Sequence, residues 1–291
     1  MSDLMFAVIV VLMVLAVGLS GWGVVRGVRA GRVVRKQLRM HRLVTFPGAP
    51  IVGEFAQAMA CGAPLLHANG EPWNALVPDR EHPSIAIADL RDIWGITDAR
   101  SWGETVTNLL DAAGGDPAVK VALGIRQRWL AQAGFPPNLA QWRDALLQTG
   151  RECGFSEIAI TELGAIAERI TRYEARLRAD GVLPLEGLVH TVRAFDYGRV
   201  PPLALWNLRA GYCGEPEART AVLQAGALAA ATYRSWDEYS AGYILGRVLQ
   251  FDNDEFGMWY DTALATHRVL TGDPASPWRT LAWQARPAPT R

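Results

Sequence analysis

Six side chains in two stretches have the types and spacing of a polar site. Asp196 and Arg199 stand three residues apart, so a carboxylate and a guanidinium would share one face of a helix. Glu238 and Arg247 flank Tyr239 and Tyr243, which are themselves four residues apart. If the two stretches pack together, carboxylates, guanidinia and phenols converge. That chemistry suits two tasks. It would bind an anionic or polar ligand through charge-assisted hydrogen bonds, as an enzyme or binding domain does. It would equally lock helices together as a satisfied network. The structural reading is favoured, because ion pairs that only hold a fold cluster in the same way. An active site would need these groups around an open cleft with at least one shifted pKa.

The remaining reactive residue types exclude more than they offer. His41, His67, His82, His190 and His267 form no i, i+4 pair and no H-E-x-x-H, so no metal site is legible. Cys61, Cys153 and Cys213 are too few and too scattered for a disulfide framework or a zinc knuckle. The acidic turn Asp252, Asn253, Asp254, Glu255 lacks the spacing and glycine of an EF-hand loop. There is no G-x-S-x-G, no phosphate-binding G-x-x-x-x-G-K-[ST] and no G-x-G-x-x-G after a strand. Lysine is confined to Lys36 and Lys120, and Lys120 reads as an ordinary helix position. No cofactor and no catalytic residue is expected. Lys plus Arg and Asp plus Glu both total 29, which argues against a uniformly basic nucleic-acid binder.

The elements that must hold the six residues are helical. Beyond residue 85 the apolar residues recur at helical spacing and no alternating strand pattern of useful length appears. Ser101-x-x-Glu104 and Ser235-x-x-Glu238 read as capping boxes. Asp116-Pro117, Asn138 and Ser156 read as helix starts, and the run from Ser156 ends near Arg178 before Gly181. Further helices are expected at Leu185–Tyr197, Leu203–Tyr212, Glu217–Tyr233, Asp237–Leu249 and Phe256–Leu270, giving eight to ten in one domain. Trp278 and Trp283, in the Pro-rich tail, would staple it to the helices.

Three segments in order resemble the bacterial family catalogued as domain of unknown function 1266. They are Leu90-Arg-Asp-Ile-Trp94-Gly95-Ile96-Thr97-Asp98, then Ala194-Phe-Asp196-Tyr-Gly-Arg199 running on to Ala210-Gly211-Tyr212, then Ser235-Trp236-Asp-Glu238-Tyr239 with Tyr243-Ile-Leu245-Gly246-Arg247. The tail Asp273-Pro274-Ala-Ser-Pro277-Trp278-Arg279, ending at Trp283, is also similar. The likeness covers roughly residues 50–283. Pro202 and Leu205 stand where the family often carries a polar and a basic residue. The resemblance implies a helical fold in a bacterial accessory protein and transfers no catalytic residue.

The N-terminus carries a different signal. Leu4 to Val25 is an uncharged run of 22 residues, about 33 Å as a helix, which reads as a transmembrane anchor. Arg26, Arg29, Arg32, Arg35, Lys36, Arg39 and Arg42 follow as a basic collar, placing the N-terminus outside and the rest in the cytoplasm. Gly23, Gly27 and Gly31 offer a weak route to a homodimer. Residues 1–42 sum to +6 and residues 43–291 to −6, so the zero net charge conceals two opposed regions. The expectation is an all-α chain: anchor and collar over 1–42, a Pro/Gly-rich linker with a short helix over 43–85, and a compact cytoplasmic multi-helix domain over 86–291. It is expected to sit single-pass in the bacterial inner membrane. There it would serve as a non-enzymatic protein-interaction module, accessory or immunity-type, with a protein partner.

Overall fold

The computed structural model describes residues 42–77, 83–112, 115–253 and 255–284. Among these, regular structure is helical throughout, with one isolated bridge between Val44 and Pro72. In chain order the helices are α1 (Glu54–Cys61), α2 (Ala63–Ala68), α3 (Pro83–Asp89), a π-helical turn (Leu90–Trp94), α4 (Ala99–Leu110), α5 (Pro117–Ala133), α6 (Leu139–Glu152) and α7 (Glu157–Ala179). They continue as α8 (Arg193–Tyr197), α9 (Val200–Ala210), α10 (Glu215–Thr232), α11 (Trp236–Phe251), α12 (Met258–Gly272) and α13 (Pro277–Thr280).

Among the described residues, side-chain caps start α4, α5, α6, α7, α11 and α13. Asn138 caps α6 in a reciprocal box with Gln141, Ser156 accepts from the Ala159 N–H, and Asp116 caps α5 with Pro117 at its first position. At α4 the expected box is displaced. Asp98 is the N-cap and Ser101 the reciprocating third residue, because a carboxylate three residues upstream reaches the free backbone donors first. The helix expected at Leu185–Tyr197 is reduced to α8. Charged side chains take its backbone groups instead: Glu174 accepts from the Val189 N–H at 2.8 Å, Arg126 donates to the Val189 carbonyl at 2.7 Å, and Arg178 donates to the Gly187 carbonyl at 2.8 Å.

Two apolar clusters fill the interior, and α11 separates them. On one side Trp236, Tyr239 and Tyr243 join α1, α2, α4, α8, α9, α10 and the tail. On the other, Ala241, Ile244, Leu245 and Val248 join α5, α6, α7 and α12. A helix buried on both flanks is apolar nearly all round, as this one is. Residues 54–68, within the stretch expected as a linker, form two helices whose Ala56, Met59, Ala60, Ala63 and Leu66 are fully buried. Helix α10 sits so close to α1 that a Cβ at Gly226 would lie 2.5 Å from the Ala58 Cβ.

The expectation of an N-terminal transmembrane helix, and with it a single-pass inner-membrane location, is corrected. Among the described residues no helix is long and apolar enough to cross a membrane. The longest, α7, has 23 residues, but it carries Glu162, Glu168, Arg169, Arg172 and Glu174 among others and buries its apolar face inside the protein. The run Leu4–Val25, the glycines 23, 27 and 31, and the collar from Arg26 to Arg39 lie outside the described residues. Arg42 is described and exposed.

Candidate functional site

The α8–α11 crossing brings Asp196 and Arg199 beside the tyrosines, and glycines make it possible. A Cβ at Gly242 would lie 2.7 Å from the Thr191 carbonyl oxygen and from the Tyr233 hydroxyl. One at Gly246 would lie 2.7 Å from the Phe195 Cβ, and one at Gly198 2.9 Å from the Tyr243 ring. Tyr233 fastens the crossing from the end of α10. Its hydroxyl accepts from the Ala194 N–H at 2.7 Å and donates to the Thr191 carbonyl at 3.0 Å.

Asp196 and Arg199 are buried and bonded to each other. Arg199 also donates Nε–H to the Phe195 carbonyl at 3.2 Å and lies 4.3 Å over the Phe195 ring. Burial raises the Asp196 carboxyl above its ordinary range, against the pull of Arg199 and, more weakly, of Lys120 and Arg193. Tyr239 is fully buried, its hydroxyl 2.9 Å from the Cys61 carbonyl and 3.1 Å from that of Ala194. Burial pushes its phenol well up, so it stays a neutral donor. Glu238 does not join the others. Its carboxylate accepts from the Arg234 N–H at 2.8 Å while its own N–H donates to the hydroxyl of Ser235, the cap of α11, so it is engaged at the start of that helix.

Tyr243 and Arg247 differ from these four. The Tyr243 hydroxyl is buried without a hydrogen-bond partner, and so is the Arg247 Nε. Burial raises the Tyr243 phenol, while the guanidinia of Arg247 and, more weakly, Arg199 draw it back. The Arg247 guanidinium lies 5.2 Å over the Trp259 ring, which stacks at 5.0 Å on Phe251. Pro202 and Leu205 are buried, Pro202 against Gly62.

Several polar groups have no signal in local spacing. Arg126 and Glu174 form a buried two-pronged pair at 2.9 and 2.7 Å, with Arg126 stacked 4.4 Å over Trp142. Arg209 grips Glu71 the same way at 2.6 and 2.9 Å. The Ser240 hydroxyl lies 2.7 Å from His267 Nδ1, the two groups a nucleophile and its base would supply. Ser240 is only 1% exposed, so no substrate reaches it. One open groove of about 350 Å³ lies between α4 and α10 and another of about 460 Å³ beside Phe46 and Asn74, and none of the six residues lines either. Among the described residues no group of three or more His, Cys, Asp or Glu could hold a metal ion.

These features define an all-helical domain whose polar residues chiefly bind its own helices together. The chain belongs to the protein family of unknown function DUF1266, whose model matches residues 89–283. No curated protein and no solved structure matches it. Helices α1 and α2 precede the matched span yet lie in the same core as its last residues, for Trp278 donates its indole N–H to the Ala60 carbonyl at 3.0 Å.

Proposed function

We propose that this protein is a non-enzymatic protein-interaction module. One observation carries the reading. The stripe Tyr239, Tyr243, Arg247, Phe251 recurs every four residues along α11 and runs from the core to a surface patch. The patch comprises Phe251 at 39%, Met258 at 67% and Trp259 at 37% exposure. Aromatic residues, Met and Arg are the types that binding surfaces favour. An enzymatic reading would need Asp196 and Arg199 free to act on a substrate, and they are buried and bonded to each other.

A photo-crosslinking residue placed at Met258 of the full chain tests this, with Arg100, an exposed α4 side chain, as control position. The expected result is a discrete protein adduct from position 258 and none from position 100. The same adducts from both positions, or none from either, would overturn the reading.

A further inference from the structure

We propose that Tyr243 and Arg247 form a carboxylate-binding site, filled by an acidic residue of a partner polypeptide whose apolar neighbour rests on Phe251, Met258 and Trp259. The inference rests on the interaction-module reading and names the chemistry of the partner.

The first ground is an imbalance among the arginines. The three fully buried ones each hold a carboxylate: Arg126 has Glu174, Arg199 has Asp196 and Arg209 has Glu71. Arg247 is half-buried and pairs with no carboxylate among the described residues. It lies beside the Tyr243 phenol and over the Trp259 ring. Asp196 is bonded to Arg199 and forms no ion pair with Arg247. Asp252 is held by the Tyr173 hydroxyl at 2.7 Å and the Gly257 N–H at 3.2 Å. Glu255 and Asp261 are exposed and form no ion pair with Arg247.

The second ground is Tyr243 itself. It is 3% exposed and its hydroxyl has no partner. A buried hydroxyl left unbonded is costly, and such groups in a folded protein call for a physical account. Phenol and guanidinium are one helical turn apart on the same face of α11. Together they offer O–H and N–H donors to one acceptor, and a carboxylate brings two oxygens in a plane, the shape a guanidinium fork matches. The local charge agrees. Arg199, Lys120 and Arg193 all act on Asp196, so cations gather around α8.

The third ground is where the site opens. Arg247 is followed one turn later by Phe251, and Trp259 under the guanidinium continues into Met258. A guanidinium held against an indole loses little freedom on pairing. The adjoining apolar surface suits the side chain next to an acidic residue in a peptide.

The test measures binding of acetylated, amidated peptides to the full chain. One carries a single Glu flanked by Leu and Phe, and the other has Gln in its place. The Glu peptide should bind about tenfold or more tightly, as expected for a charge-assisted pair. Arg247→Gln should make the two peptides equal, and Arg247→Lys should restore part of the difference. Tyr243→Phe should narrow it with folding intact, and Met258→Ser should weaken both peptides alike. Equal binding of the two peptides to the unaltered chain, or discrimination that survives Arg247→Gln, would overturn the site. Sodium acetate binding as tightly as the Glu peptide would overturn the polypeptide as its source. The two readings fail separately. A Met258 adduct that persists in Arg247→Gln alongside equal peptide binding removes only the carboxylate site, whereas loss of the adduct itself removes the interaction module.

Discussion

Where the tail meets α11, the buried indole N–H groups are satisfied by distant backbone carbonyls. Trp236 donates to Leu281 at 2.8 Å, Trp278 to Ala60 at 3.0 Å and Trp283 to Tyr233 at 2.8 Å. The rings interlock, with Trp236 stacked on Trp278 at 5.5 Å and edge-on to Trp283 at 4.6 Å. On the side that faces α5 and α7, the central polar contact is ionic. Glu174 takes both prongs of Arg126, and the same two residues hold the backbone of Val189. A neutral N–H on a carbonyl leaves a modest debt when it is lost. A buried charge left alone is far worse, because nothing in the interior replaces its hydration. The aromatic half should therefore tolerate loss of any one of these indole hydrogen bonds, and the ionic half should not tolerate loss of one partner of its pair.

Glu174→Ala attacks the difference at its strongest point. It strands the Arg126 guanidinium, which is 5% exposed, and should cost about 3–5 kcal/mol of unfolding free energy. Replacing Arg126 and Glu174 together by Met and Leu should recover most of that, since no lone charge then remains. Urea denaturation of the three proteins measures both. A double variant as unstable as the single would mean that shape, and not stranded charge, governs this half.

Trp278→Ala and Trp278→Phe separate packing from hydrogen bonding in the aromatic half. The alanine removes a buried ring and should cost about 3–5 kcal/mol. Phenylalanine keeps most of the stacking on Trp236 and loses chiefly the bond to Ala60, which should limit the cost to about 1–3 kcal/mol. Equal losses, read from thermal melts, would assign the tail's attachment to the single hydrogen bond.

In both halves the local features were legible in the sequence and the long-range ones were not. Helix starts at Asp116, Asn138 and Ser156, and the stapling tryptophans of the tail, could be read because caps and large apolar side chains act locally. The Arg126–Glu174 and Arg209–Glu71 pairs join residues 48 and 138 positions apart, and charge types alone do not choose among so many partners. Residues 54–68 read as part of a linker with one short helix near Val52–Cys61, because alanine is weakly apolar and prolines flank them. Their burial follows from Gly226, whose missing side chain admits α1, and that approach is visible only in three dimensions. Of the six candidate residues, the sequence grouped them by type. It could not tell that Glu238 is occupied as a helix cap or that only Tyr243 and Arg247 keep unbonded atoms.

Glycine substitutions sharpen the comparison at smaller magnitude. Gly226→Ala would drive its methyl into Ala58, 2.5 Å from the Cβ and 2.7 Å from the Cα, and should destabilise by about 1–3 kcal/mol. Gly124→Ala, in α5, meets nothing within 4 Å and should stabilise by about 0.5–1 kcal/mol through helix propensity alone. Opposite shifts in melting temperature are the expected outcome. A stabilising Gly226→Ala would mean that α1 moves aside freely and is not part of a close-packed core.

The smallest expected effect concerns pH and lies again on the α7–α12 side of α11. Burial lowers the His267 pKa below its ordinary 6.5, and Arg268 adds to this while Asp237 opposes it. The folded imidazole therefore stays neutral, its Nδ1 hydrogen-bonded with the Ser240 hydroxyl at 2.7 Å, whereas the unfolded one takes up a proton near its ordinary value. Below that value the unfolded chain binds more protons, so unfolding becomes easier as the solution is acidified. This contribution is present in full above 6.5 and is lost as pH falls toward and through the folded value. His267→Asn keeps an acceptor for Ser240 and removes the titration. Carboxylates elsewhere, Asp196 among them, titrate in both proteins and cancel in the comparison. Between pH 7.5 and 5.5 the unaltered chain should lose more stability in urea than the variant does. Parallel pH slopes would mean that the imidazole is no harder to protonate in the folded chain than in the unfolded one, and that this side of the core opens readily enough to hydrate it.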